Sequence, residues 1–255
     1  TLKALGEVTI YGQIEDEGIL SSNFNGTVFP VIYDKEVIRT TLGQQSCTPM
    51  PYRDQNNILY KGAATVKDGE FSFSFIVPKD IDYNYGNGKI SYYALNNNEQ
   101  NPIDANGVEQ NFIIGGTADD IIYDYDEPEL SLFMNDTLFI DGGITDESPI
   151  FLAHIFDFSG INTVGNGIGH DIIAVLDGNI TNPYILNDFY EARKDDFTRG
   201  LVRFPLYNLS KGEHSITLKV WDVFNNSSEA TINFVVTDEN NLIIADFTAY
   251  PNPFS

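Results

Sequence analysis

Apolar and polar positions alternate most strictly over residues 69–78. Phe71, Phe73, Phe75 and Val77 fall on one face there, Ser72 and Ser74 on the other. A period of two marks an antiparallel strand with one buried face. Lys67-Asp68-Gly69 in front of it is a turn signal, so residues 57–66 read as the other arm of a hairpin. Residues 8–14 alternate as well, with Val8, Ile10 and Gly12 on one face. Residues 28–33 follow as a strand whose Pro30 predicts an edge position or a bulge. Residues 89–95 and 112–114 complete a set of short strands separated by turns, the pattern of a β-sandwich.

A second series occupies residues 129–134, 137–140, 150–157, 170–176, 200–204, 214–223 and 230–236. Its last two members are the clearest: Ile216, Leu218 and Val220 alternate with Thr217 and Lys219, and Ile232, Phe234 and Val236 with Asn233. Residues 222–228 form a polar loop between them. Residues 184–196 read either as a short helix behind Pro183 or as a strand pair. Between the two series, Gly115 and Gly116 precede an acidic run through Asp126, Glu127 and Pro128. The expected fold is therefore all-β, two tandem immunoglobulin-like β-sandwich domains. The first spans 1–117, an acidic linker 118–128, and the second 129–238, with lone Trp221 in or beside its core. Residues 239–255 open a further unit, because Pro251 and Pro253 stop regular pairing.

The length of 255 residues agrees with two domains at roughly 150 residues each. Acidic residues number 37 and basic ones 14, a net charge of −23 that repels phosphate backbones and anionic lipids. No nucleic-acid partner is expected. No apolar run reaches the ~20 residues that cross a bilayer as a helix. The chain opens at Thr1 without Met or a basic leader and reads as an internal or processed piece. Scarce Lys and Arg suit an extracytoplasmic surface.

Candidate chemistry is sparse. Cys47 is the one cysteine, so neither an internal disulfide nor a Cys-rich zinc site is expected. It sits in a loop-like stretch, and the three histidines, His154, His170 and His214, all lie in the second half. A catalytic thiol needs a His, a helix N-terminus or a cation beside it, so Cys47 reads as a bystander. His170-Asp171 lacks a nucleophile, and neighbours on a strand point to opposite faces. No catalytic residue and no organic cofactor is expected. No metal is expected, most of the acids reading as solvated; calcium fits better than zinc, with candidate ligands in the hard oxygens of Asp119, Asp120, Asp124, Asp126, Glu127 and Asp157. None of these fits the full spacing of an EF-hand loop. Tyr83, Tyr85, Tyr92 and Tyr93 form a candidate aromatic interaction patch.

Several segments in order resemble one family. They are Tyr85-Gly86-Asn87-Gly88-Lys89-Ile90-Ser91-Tyr92-Tyr93-Ala94; Gly167-Ile168-Gly169-His170-Asp171-Ile172 with Val175-Leu176-Asp177-Gly178; Leu186-Asn187-Asp188-Phe189-Tyr190-Glu191-Ala192; Gly212-Glu213-His214; and Leu218-Lys219-Val220-Trp221-Asp222-Val223-Phe224-Asn225-Asn226-Ser227-Ser228-Glu229. The series resembles the region behind the peptidase domain of the PorU family, the gingipain-like cysteine peptidases that act as sortases of the type IX secretion system in Bacteroidetes. Tyr250-Pro251-Asn252-Pro253-Phe254 resembles the start of a C-terminal sorting-type domain in that system. The resemblance implies a parent that removes the C-terminal signal of secreted cargo and attaches the cargo to the cell surface. Its Cys nucleophile and His base would lie upstream, outside this chain. Implied partners are the upstream peptidase domain, the downstream C-terminal domain and an outer-membrane β-barrel component. The implied place is the cell surface, at the outer membrane. The competing expectation is a surface adhesin or carbohydrate-binding module, which uses the same kind of sandwich.

Overall fold

The computed structural model describes residues 1–44, 46–98, 100–164 and 169–237. The expected unit at 239–255, with Tyr250 to Phe254, and Gly167-Ile168 of the resemblance lie outside those residues. The first half contains β1 (Leu2–Ala4), β2 (Glu7–Gln13), β3 (Glu15–Asp16), β4 (Ile19–Leu20), β5 (Gly26–Tyr33), β6 (Val37–Thr40), β7 (Pro51–Asp54), β8 (Ile58–Lys61), β9 (Ala64–Lys67), β10 (Glu70–Ile76), β11 (Gly86–Asn87), β12 (Lys89–Asn96), β13 (Asp104–Glu109) and β14 (Ile113–Thr117). The second half contains β15 (Glu129–Met134), β16 (Gly143–Thr145), β17 (Ile150–Phe156), β18 (Ile173–Leu176), β19 (Tyr184–Ile185), a short 3-10 turn at Asn187–Phe189, β20 (Tyr190–Arg193), β21 (Asp196–Pro205), β22 (Gly212–Trp221) and β23 (Ser227–Val236). The described chain is all-β, arranged in β-sandwiches.

The main sheet of the first half runs β13-β12-β5-β9-β10-β2, with β8 also on β5. Alternation places Phe71, Phe73 and Phe75 of β10 inside, against Val28 and Ile32 of β5 and Ile90 and Ala94 of β12. A smaller sheet, β1-β14-β11, adds Leu2, Ala4 and Ile114 to the same core. Gly12 has a packing reason: a Cβ there would overlap the Phe71 ring. Pro30 does not lie on an edge strand. β5 is central, and Pro30 falls opposite the break where β9 stops at Ala64 and β8 starts at Lys61. A strand interior admits the missing N–H at such an interruption.

In the second half, β15-β17-β21-β20 packs on β16-β23-β22-β18-β19. The ten-residue β22–β23 hairpin pairs from Gly212↔Val236 to Trp221↔Ser227. Its inward residues Ile216, Leu218, Val220, Ile232 and Phe234 face Phe151, Ile155 and Val202 of the other layer. Residues 137–140 form no strand. The short strand of that region is β16, pairing parallel with β23, while Leu138 and Ile140 are exposed. Residues 184–196 resolve as β19, the 3-10 turn and β20.

Candidate functional site

The two halves of the described chain meet where β8 and β10 approach β20 and β21. Tyr60 of β8 stacks on Phe75 at 4.7 Å between ring centres and lines the junction together with Tyr190, Phe197 and Val223 of the second half. The space left between the packed surfaces is only about 20 Å³. Val164 belongs to the first core, and Phe197 packs against it. Burial pushes the Tyr60 hydroxyl up to about 12, with Asp195 adding to the shift. Burial also raises Tyr190, whose ring occupies the place where Gly200 carries no Cβ.

Polar bonds fasten the same junction. The Lys79 amide donates to the Val223 carbonyl at 2.9 Å, and the Asp195 amide to the Ala63 carbonyl at 2.9 Å. Thr65 donates its amide and its hydroxyl to Asp195, each at 2.6 Å. Asp80 gathers three groups from the second half: Asn225 Nδ2 and Asn162 Nδ2 at 2.9 Å each and His170 Nδ1 at 2.5 Å. Burial alone would raise the Asp80 carboxyl. The bonds from Asn225, His170 and Asn162 outweigh it and hold the group below the ordinary range. The His170 ring lies 4.3 Å from that of half-buried Trp221, so the Trp fixes the clasp more than it fills the core. His170 bonds Asp80 rather than Asp171, whose carboxyl is raised by burial against the opposing pull of Asn187 and His170.

Next to this clasp three carboxylates converge: Asp124, Asp157 and Asp222, with ligand atoms within 4.8 Å of one another. Ser159 donates its hydroxyl to Asp124, and Asn226 Nδ2 reaches the Asp124 carbonyl at 3.2 Å, which docks this part of the acidic segment on the second sandwich. Asp222 accepts from the amides of Phe224 and Asn226 at 2.9 and 2.7 Å. Asp157 is pushed up to about 7. Burial is the main cause and the charges of Asp222 and Asp124 add to it, against the opposing amide bonds of Ser159 and Gly160. Burial likewise raises Asp222, with Asp124 adding to it. One of three crowded carboxyls holding a proton is the physical answer to like charges in a buried place.

The calcium candidates do not come together as a set. Asp124 and Asp157 meet; Asp119 is exposed and ion-paired to Lys3 at 2.6 Å, and Asp120, Asp126 and Glu127 are exposed. Asp222, the third member of the cluster, was not among them. Its signal is local: an Asp followed two and four residues later by amides it can accept, in Trp221-Asp222-Val223-Phe224-Asn225-Asn226. The carboxylate oxygens have the hardness calcium takes.

The four tyrosines do not make one platform. Tyr92 faces inward against Phe71 at 5.7 Å, and Tyr93, one residue on, faces outward against Phe29 at 6.3 Å. Tyr83 bonds the Lys79 carbonyl through its hydroxyl, and Tyr85 packs over Gly116. Cys47 is exposed. The histidines bond elsewhere: His170 to Asp80, His214 to Asp177 at 2.8 Å, and His154 against the Phe133 ring at 5.5 Å. No helix among the described residues is long and apolar enough to cross a membrane.

Among solved structures, the chain is similar to dimeric latent PorU from Porphyromonas gingivalis. The two are 36% identical over 93% of this chain, with a TM-score of 0.51. The relationship is PorU-like. The chain spans 22% of the length of that PorU structure, so the likeness is to one region of PorU. The fibronectin(III)-like modules of Clostridium thermocellum CbhA share 9% identity over 97% of this chain and 94% of theirs, with a TM-score of 0.27. The C-terminal domain of the Streptococcus pyogenes antigen I/II-family protein AspA shares 10% over 89% of this chain and 99% of its own, with a TM-score of 0.22. Both scores are too low to bear on function. No family model and no curated protein matches the chain.

Proposed function

We propose that this chain is the support region of a PorU-like sortase at the cell surface. Its parent would cleave C-terminal signals from secreted cargo and attach the cargo to the cell surface, using a cysteine peptidase domain outside this chain. The support region would hold that peptidase at a set distance and angle from the following C-terminal domain and from an outer-membrane β-barrel partner. The observation that carries the reading is 36% identity to PorU along 93% of the chain. The fastened junction supports it: a spacer works only if its two sandwiches keep their angle, and Asp80, Asp195 and Tyr60 resist bending there. Calcium has no part in this reading.

The test is on the parent polypeptide. An antibody to this chain is used on outer-membrane extracts labelled with an activity-based cysteine-protease probe. The reading expects a labelled band much larger than 28.5 kDa. An unlabelled band, with the probe active on a control peptidase, contradicts it.

A further inference from the structure

The seven-stranded sheet of the first half ends on β2 at one side and β13 at the other. β2 pairs with β10 along Glu7–Gln13, and β13 with β12 along Asp104–Glu109. Among the described residues, neither has a strand on its other side. The sheet curls until both edges line one groove of about 720 Å³. That is within the ~300–1,000 Å³ of ordinary ligand clefts. Consecutive residues line it on both sides, 8–15 from β2 onward and 105–109 from β13. The groove thus meets main-chain edges as well as one face of side chains. Its floor is apolar: Phe71, Ile90, Tyr92 and Ala94.

Open edges normally carry Lys, Pro or a cover that prevents pairing. β2 reads Glu-Val-Thr-Ile-Tyr-Gly-Gln and β13 Asp-Ala-Asn-Gly-Val-Glu, with no Lys, Arg or Pro in either. The ends of the two edges carry exposed Glu7, Glu15, Asp104 and Glu109. Two unpaired backbone edges above an apolar floor fit an extended chain, which gains main-chain bonds and places alternate side chains inward. The acidic rim selects the charge of the side chains that remain outside.

We propose that the seam between β2 and β13 accepts a strand from a partner protein, an extended segment in which apolar and basic residues alternate. The apolar residues rest on Phe71, Ile90, Tyr92 and Ala94. The basic ones stand outward near Glu7, Glu15, Asp104 and Glu109. The proposal is independent of the sortase reading, because it uses only the two edges, the floor and the rim.

The experiment titrates the full 255-residue chain with a fluorescent Lys-Val-Lys-Val-Lys-Val peptide, followed by anisotropy and by amide hydrogen exchange. Two control peptides are Lys-Val-Lys-Pro-Lys-Val, of equal charge, and Glu-Val-Glu-Val-Glu-Val. The expected result is saturable binding by the first peptide, at least about tenfold tighter than by either control. New exchange protection should fall on the amides of β2 and β13. The double variant Glu15→Lys with Glu109→Lys should weaken binding by about tenfold at unchanged melting temperature. Equal binding of the two Lys peptides would mean adsorption to an acidic surface and would overturn the proposal. Absence of saturable binding would overturn it too, as would self-association through the same amides without a peptide effect.

Discussion

Asp157 shows how much one buried carboxyl can decide. Its folded-state value of about 7 lies above the ordinary Asp value near 4. Between those two values the folded state holds the proton that the unfolded state has lost, so this group makes stability fall as pH rises from about 4 to 7. Above about 7 the loss is complete and constant. Asp157→Asn keeps an acceptor for the Ser159 amide and removes the charge. Its melting temperature at pH 8 should exceed that of the wild type by several degrees, at about 2–4 °C per kcal/mol for a chain of this size. The gap should close as pH falls towards 4. A constant difference across pH would show that Asp157 is not the titrating group. Asp80 has the opposite sign: its lowered value stabilises the fold above the ordinary Asp value, and that contribution is lost as pH falls through the folded one. Asp80→Ala leaves the fully buried Asn162 amide without its carboxylate partner and should cost about 2–4 kcal/mol by urea denaturation.

Among the elements, Gly12 and Gly200 sit where strands pass large rings. A Cβ at Gly200 would overlap Tyr190, and one at Gly12 would overlap Phe71. Gly200→Val should therefore destabilise by about 1–3 kcal/mol or more through overpacking, read as a lower urea midpoint. An unchanged midpoint would mean the Tyr190 ring can leave its place freely. The strongest strands were legible because one face of each is buried: β10, β22 and β23 show their alternation in the chain itself. β13 was not legible. Asp-Ala-Asn-Gly-Val-Glu has no apolar period, and the strand is held by main-chain pairing to β12 on one side only. The exposed ribbon of β6 and β7 escaped notice for the same reason. Residues 137–140 misled in the other direction, since Leu138, Phe139 and Ile140 read as a short apolar run, yet Leu138 and Ile140 point into solvent. The junction was less legible still. Asp80, Asn162, His170 and Asn225 are brought together by the docking of two sheets, which no local pattern records.

At the scale of the molecule, the interface decides what the chain can do. Two sandwiches on a free linker would place whatever they join at any angle. Here Tyr60 packs against the second half beside only about 20 Å³ of residual space, Thr65 and Ala63 bond Asp195, and Asp80 holds three groups. Under the proposed sortase reading, Asp80→Ala with Asp195→Ala should leave hydrolysis of a short peptide by the parent's peptidase domain unchanged. Attachment of cargo to the cell surface should fall several-fold. Equal attachment in the variant would separate the junction from the parent's task.

The most direct measurement concerns the junction itself. Residual dipolar couplings recorded on the described sheets of the 255-residue chain give an alignment tensor for each half separately. A rigid spacer predicts one tensor for both, the same magnitude and the same axes, and its splitting into two in the Asp80→Ala, Asp195→Ala variant. Two different tensors in the unaltered chain would contradict the account, because the halves would then move independently and could hold nothing at a fixed angle.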